Sequence, residues 1–191
     1  MKKVIDVSYW QKDLDYDAAV SNGVDGVIVK ITEGLTIEET WWSHVAECEK
    51  RNLPWGVYCY SHATTPERAR EEANEVLYLL GGRVPELGVW FDFEAPSCLS
   101  AYDPTAICSA FINVINEEAI KCGVYASLST LTDIIRVNDL GYYVPYWVAQ
   151  YASNCMFHDY YPNNVLAGWQ YSDKEKIGDT EVDMNEWYLE D

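Results

Sequence analysis

Apolar positions along the chain fall into two textures. Short, nearly unbroken runs rich in β-branched and aromatic residues occupy 4–7, 26–31, 55–60, 88–93, 123–126, 146–150, 168–171 and 181–184. Their continuity, as in Val27-Ile28-Val29 and Val89-Trp90-Phe91, fits strands covered on both faces. Between them lie longer stretches with helical character, at 16–22, 37–52, 66–80, 104–121 and, more weakly, 130–137. Their ends are punctuated: Thr65-Pro66 opens one and Gly81-Gly82 closes it, while Asp103-Pro104 opens the next and Gly123 follows it. After Asp139 the helical texture fades, so the last three strands are expected to be joined mostly by loops. This order predicts one α/β domain over residues 1–191, an irregular, shortened TIM-like β/α barrel of about eight strands and about five helices. A doubly wound open sheet is the alternative, but the chain has no Gly-rich phosphate loop to go with it.

Charge narrows the partners. With a net charge of −18, the chain has no basic surface for nucleic acid or an anionic membrane. No stretch reaches the roughly 18 apolar residues of a membrane span, and the Met1-Lys2-Lys3 start is not followed by the apolar run of a secretory signal. Six cysteines show neither CxxC nor zinc spacing with His44, His62 and His158, and are expected to be reduced, structural thiols. Tyr and Trp far outnumber Phe, which fits a Tyr-rich core or a groove where sugar rings stack on aromatic faces.

The acids carry the chemistry. Asp6, Glu33, Asp92, Glu94 and Asp183 each lie late in, or just after, a predicted strand. In a β/α barrel the carboxyl ends of the strands meet on one face, so five acids distant in sequence would share a pocket. Asp92 and Glu94 are two apart, which on a strand puts them on the same side with Cα atoms about 6.5–7 Å apart. Such a pair cannot ionise freely, and a neutral Glu94 beside an ionised Asp92 is the arrangement that glycoside cleavage uses. Clustered carboxylates also suit hard cations, although no Asp-rich loop, His-Glu-x-x-His or Gly-x-Ser-x-Gly is present.

Eight segments in order resemble the glycoside hydrolase family 25 lysozymes. They begin with Ile5-Asp6-Val7-Ser8-Tyr9-Trp10-Gln11, Val29-Lys30-Ile31-Thr32-Glu33-Gly34, Gly56-Val57-Tyr58 and Phe91-Asp92-Phe93-Glu94. They continue with Gly123-Val124-Tyr125-Ala126, Tyr146-Trp147-Val148-Ala149-Gln150-Tyr151, Gly168-Trp169-Gln170-Tyr171 and Val182-Asp183-Met184-Asn185. The resemblance implies an N-acetylmuramidase that cuts the β-1,4 bond from N-acetylmuramic acid to N-acetylglucosamine in bacterial peptidoglycan, with retention. By this analogy Glu94 is the general acid/base, Asp6, Asp92 and Asp183 line the site, and Glu33 belongs to its acidic floor. Tyr58, Tyr125, Trp147 and Gln170 match sugar-contacting positions. No cofactor or metal is implied, and the expected form is a monomer that acts on the cell wall, outside the cell or after delivery as a phage lysin. The third strand departs from the family in reading Tyr58-Cys59-Tyr60 where Tyr-His-Phe is more usual. A chitinase-like N-acetylglucosaminidase and a non-catalytic glycan-binding module are the competing readings.

Overall fold

The computed structural model describes residues 1–189. Nine strands form one sheet: β1 (Lys2–Val7), β2 (Gly26–Glu33), β3 (Thr36–Ile37), β4 (Trp55–Tyr60), β5 (Val89–Asp92), β6 (Cys122–Ser127), β7 (Pro145–Ala149), β8 (Val165–Ile177) and β9 (Thr180–Trp187). Eight of them close into a barrel in the order β1-β2-β4-β5-β6-β7-β8-β9, with β9 pairing back onto β1. β1, β2 and β4 to β8 run parallel around the barrel, whereas β9 is antiparallel to both neighbours. β3 is a short antiparallel appendage on the end of β2.

Seven helices surround the sheet: α1 (Tyr16–Ser21), α2 (Trp41–Arg51), α3 (Pro66–Leu80), α4 (Pro96–Leu99), α5 (Pro104–Glu117), α6 (Leu128–Asp133) and α7 (Phe157–Tyr160). The five expected helices are all present. The two additions, α4 and α7, are single turns too short to show a period. The helix expected over 37–52 starts later because Thr36-Ile37 pairs with Thr32 and Glu33 across the turn at Gly34 (φ 57°), a left-handed position that suits glycine. The caps read from sequence form as expected: Thr65 accepts from the Arg68 N–H, Gly81 closes α3 in the left-handed region, and Asp103 accepts from the Ala106 N–H.

Period-2 alternation divides each strand between two cores. Outward residues such as Ile5, Val29, Val57, Phe91, Val124 and Val148 pack beneath the helices. Inward residues Val4, Ile28, Trp90, Tyr125, Trp147 and Trp187 fill the barrel. Trp90, Trp147 and Trp187 meet one another nearly edge-on, with ring centroids 5.1–6.1 Å apart. Each such pair is worth about 0.5–1.5 kcal/mol beyond its buried area. Two glycines make room for them: a Cβ on Gly123 would stand 2.5 Å from Trp90 Cζ3, and one on Gly168 would collide with the Trp187 ring. The indole N–H groups of Trp90 and Trp147 are satisfied by Leu87 O (2.8 Å) and Asn185 Oδ1 (2.7 Å). This packed plug closes the lower barrel and leaves chemistry to the mouth above it.

Candidate active site

The same alternation that points Val4, Ile28, Trp90 and Trp187 into the plug brings Asp6, Lys30, Asp92 and Asp183 inward one or two steps further up their strands. Asp183 lies early in β9, not late in its strand as expected from sequence. It still reaches the carboxylate face, because β9 runs opposite to the rest and starts where they end. Asp6 and Asp183 are direct cross-strand partners.

A hydrogen-bond network holds this pair. Gln170 Nε2 donates to Asp6 Oδ2 and to Asp183 Oδ2, each at 3.1 Å. Asn185 Nδ2 donates to the same Asp6 oxygen at 2.9 Å and to Val4 O. Gln170 is oriented in turn by the hydroxyls of Tyr125 (2.8 Å) and Tyr151 (3.1 Å), which donate to its Oε1. Asn185 is oriented by the Trp147 indole. Burial and the facing Asp183 charge push Asp6 up to about 7, against the pull of its amide donors. Burial, then the charges of Asp173 and Glu94, push Asp183 up to about 6.

Asp92 is fixed from both sides. Its carbonyl accepts from the Ser61 N–H, and the next residue, Phe93, donates to Tyr125 O. The side chain is buried, and its Oδ1 has no hydrogen-bond partner. Burial, then Glu94 and Asp6, drive its pKa well above the ordinary carboxylate range. Glu94 lies just past the end of β5 with its side chain open to solvent, and the protein around its carboxyl raises its pKa while the Lys30 ammonium pulls it back. Both carboxyls are thus pushed toward their protonated forms, Asp92 by deeper burial among like charges. The cause is position, since the strand buries Asp92 among like charges while the chain turns toward solvent at Glu94.

Glu33 also departs from expectation. It lies at the rim, half exposed, between Lys30 Nζ (2.7 Å) and His62 Nε2 (3.1 Å), and these two partners hold its pKa below the usual value. It is a paired residue at the rim of the acid cluster, whose charge still reaches Asp92. His62 is placed by the buried Glu72, which accepts from its backbone N–H and from Ser61 Oγ.

Tyr58 is half-buried at the mouth, edge-on to Trp147 at 6.3 Å. Tyr125 is buried with its hydroxyl on Gln170. Trp147 and Gln170 are each 1% exposed, so they support the carboxylates from below and offer no open face. Three contributors escaped the sequence reading. Lys30 carried a signal, as the lone cation in the apolar run Val27–Ile31; Asn185 did too, being two positions from Asp183. Tyr151 carried none, because its role follows from a loop returning over Gln170. All six cysteines are free, five of them buried. Among the described residues no three His, Cys, Asp or Glu side chains form a metal-holding group, and no helix is long and apolar enough to cross a membrane.

A β/α barrel with four acids converging at one end, two buried (Asp6 and Asp92), one half-buried (Asp183) and one open (Glu94), has the architecture of a carboxylate-dependent glycoside hydrolase. The family model described as Glycosyl hydrolases family 25 matches residues 5–180, and the chain belongs to that family. It is 25% identical over 178 residues to the autolytic lysozyme of Clostridium acetobutylicum, a match taking in 92% of this chain and 52% of that protein. The chain thus spans about half the length of that curated relative. Among solved structures, the CTP1L endolysin superimposes with a TM-score of 0.83 at 24% identity, covering 98% of this chain and 67% of that one. The modular autolysin LytC of Streptococcus pneumoniae, in complex with a synthetic peptidoglycan ligand, gives 0.83 at 23% identity over 98% of this chain and 46% of that one.

Proposed function

We propose that this chain is a lysozyme that cleaves peptidoglycan as an N-acetylmuramidase, hydrolysing the β-1,4 bond from N-acetylmuramic acid to N-acetylglucosamine with retention of configuration. The observation that carries the reading is the convergence of Asp6, Asp92, Glu94 and Asp183 on one end of a family 25 barrel, with each charge felt by its neighbours. Glu94 is the general acid/base, as the one member of the set with its side chain open to solvent and a raised pKa.

In the favoured route the substrate's own 2-acetamido oxygen attacks the anomeric carbon. The glycosidic bond breaks as Glu94 gives its proton to the leaving oxygen, and a cyclic oxazolinium forms. The Glu94 carboxylate then takes a proton from water, whose oxygen opens the ring on the original face. Asp92 orients the acetamide: its Oδ1, buried and without a protein partner, is a ready acceptor for the acetamido N–H. Asp6 and Asp183, which disfavour being charged together, place negative charge beside the anomeric centre as positive charge develops there. A carboxylate nucleophile is the competing route, and carboxyl spacing does not separate the two. Tyr58 at the mouth supplies a ring edge to the sugar, while Tyr125, Trp147 and Gln170 act beneath it. The partner is the bacterial wall, approached without long-range attraction given the −18 charge of the chain. The proposed form is a monomer.

Mass spectrometry of borohydride-reduced products from purified walls tests this. A muramidase leaves muramitol at the new ends. Glucosaminitol would assign the chain to a chitinase-like glucosaminidase, and glycan binding with no new ends would make it a binding module.

A further inference from the structure

Trp10 is 83% exposed, a large aromatic held out in water at the carboxylate end of the barrel. Its support is unusually rigid for an exposed side chain. The turn Tyr9–Gln11 is locked by a reciprocal cap in which Ser8 Oγ accepts from the Trp10 N–H while Gln11 Oε1 accepts from the Ser8 N–H at 3.0 Å. Gln11 Nε2 also reaches Glu181 O at 3.1 Å, bracing the turn against the start of β9, two residues before Asp183. From below, the buried His44 donates through Nε2 to Ser8 O at 3.0 Å and accepts the Tyr16 hydroxyl at Nδ1 (2.8 Å). The neighbouring Tyr9 is occupied, with Lys12 Nζ over its ring at 4.7 Å, whereas most of the Trp10 ring is left open.

A locked turn that holds an indole out in water is preorganised: a ring stacking on it pays little further ordering cost. We propose that Trp10 is a stacking platform for an N-acetylhexosamine ring of the glycan strand, beyond the two sugars that flank the scissile bond. Its placement sets the distance. Ser8 is two residues past Asp6 on the same strand line, about 7 Å at strand rise, and Trp10 lies further on. Standing past the end of β1, which carries Asp6, Trp10 is placed for a sugar further along the glycan. The open face of a pyranose is apolar C–H surface, which an indole face covers well. An anionic membrane is disfavoured by the net charge of −18.

This inference rests on the muramidase reading, and the experiment separates the two. Peptide-free peptidoglycan strands of four sugars and of eight or more are compared as substrates. The parent should prefer the long strands. Trp10→Ala should lower kcat/KM on them about tenfold, through KM, and so collapse the long-to-short ratio. Trp10→Tyr should recover most of that ratio, and Tyr143→Ala, an exposed aromatic preceding β7 at the other end of the barrel, should leave it at the parent value. An unchanged ratio in Trp10→Ala, or a loss equal on both lengths, overturns the platform. If the parent cleaves neither strand, the muramidase reading fails, and calorimetry of long strands on Glu94→Gln with and without Trp10→Ala still decides the platform: equal affinities overturn it and an affinity about tenfold weaker upholds it.

Discussion

Asp6 and Asp183 face each other across the antiparallel pairing of β1 and β9 and share one donor, the Gln170 amide, at 3.1 Å to each carboxyl. A buried acid and a half-buried one this close cannot both be charged without cost, and the NH2 group that donates to both, with Asn185 on Asp6, makes the pairing tolerable. Gln170→Leu removes that donor and leaves the Tyr125 and Tyr151 hydroxyls unpaired as well. The expected result is a loss of about 1–3 kcal/mol in stability at pH 8 by urea denaturation, with a smaller loss at pH 4 where the acids are neutral. Equal losses at both pH values would contradict the shared-donor role.

The pair also sets a pH dependence of stability. The Asp6 pKa is raised from 3.8 to about 7 in the fold, so the folded state binds this proton more tightly than the unfolded chain. Its contribution is fully present below about pH 4 and is lost as pH rises toward 7. Asp6→Asn should therefore stabilise the protein by about 1–3 kcal/mol at pH 8 and change little at pH 4, less than the shift alone implies because an amide fits the two amide donors poorly. Parallel denaturation curves at the two pH values check it, and destabilisation at pH 8 would refute it.

Lys30 opposes the raised pKa values of both Glu94 and Asp92. Replacing it with Met should let Glu94 hold its proton to higher pH, moving the alkaline limb of kcat/KM upward. A limb that stays in place or moves down would remove Lys30 from the electrostatics of the site. Because Lys30 also holds Glu33, Glu33→Gln serves as the control that breaks the ion pair and keeps the ammonium.

Much of this was legible along the chain because barrel strands are covered on both faces. Uninterrupted apolar runs mark them, and the Asp92-Phe93-Glu94 pair at the end of such a run stands out from a solvated rim more than a single acid such as Asp6 does. The reversal of β9 was not legible, since Glu181–Met184 reads the same in either direction and only closure onto β1 sets its sense. The long β8–β9 hairpin hid for a related reason: past Tyr171 its residues are polar, and pairing with β9 alone keeps them extended. Burial of Trp147 and Gln170 beneath the acids, and the raised pKa of Asp92, depend on what lies across the barrel. Local sequence does not carry that information.

The tryptophan plug gives a stability prediction independent of the chemistry. Gly168→Ala places a methyl group against the Trp187 ring, and overpacking of this kind costs about 1–3 kcal/mol. The variant should unfold at lower denaturant with near-ultraviolet circular dichroism altered by displaced indoles. A Tm equal to the parent's would mean that the plug is looser than described.

The most direct test of the account is the rate at which Glu94→Gln releases reducing ends from purified peptidoglycan, beside the parent. Loss of the acid proton should lower the rate about 10²–10⁴-fold with the fold retained by circular dichroism, since the residue is open to solvent past the end of β5. Release at the parent rate would contradict the assignment of Glu94 and with it the proposed chemistry.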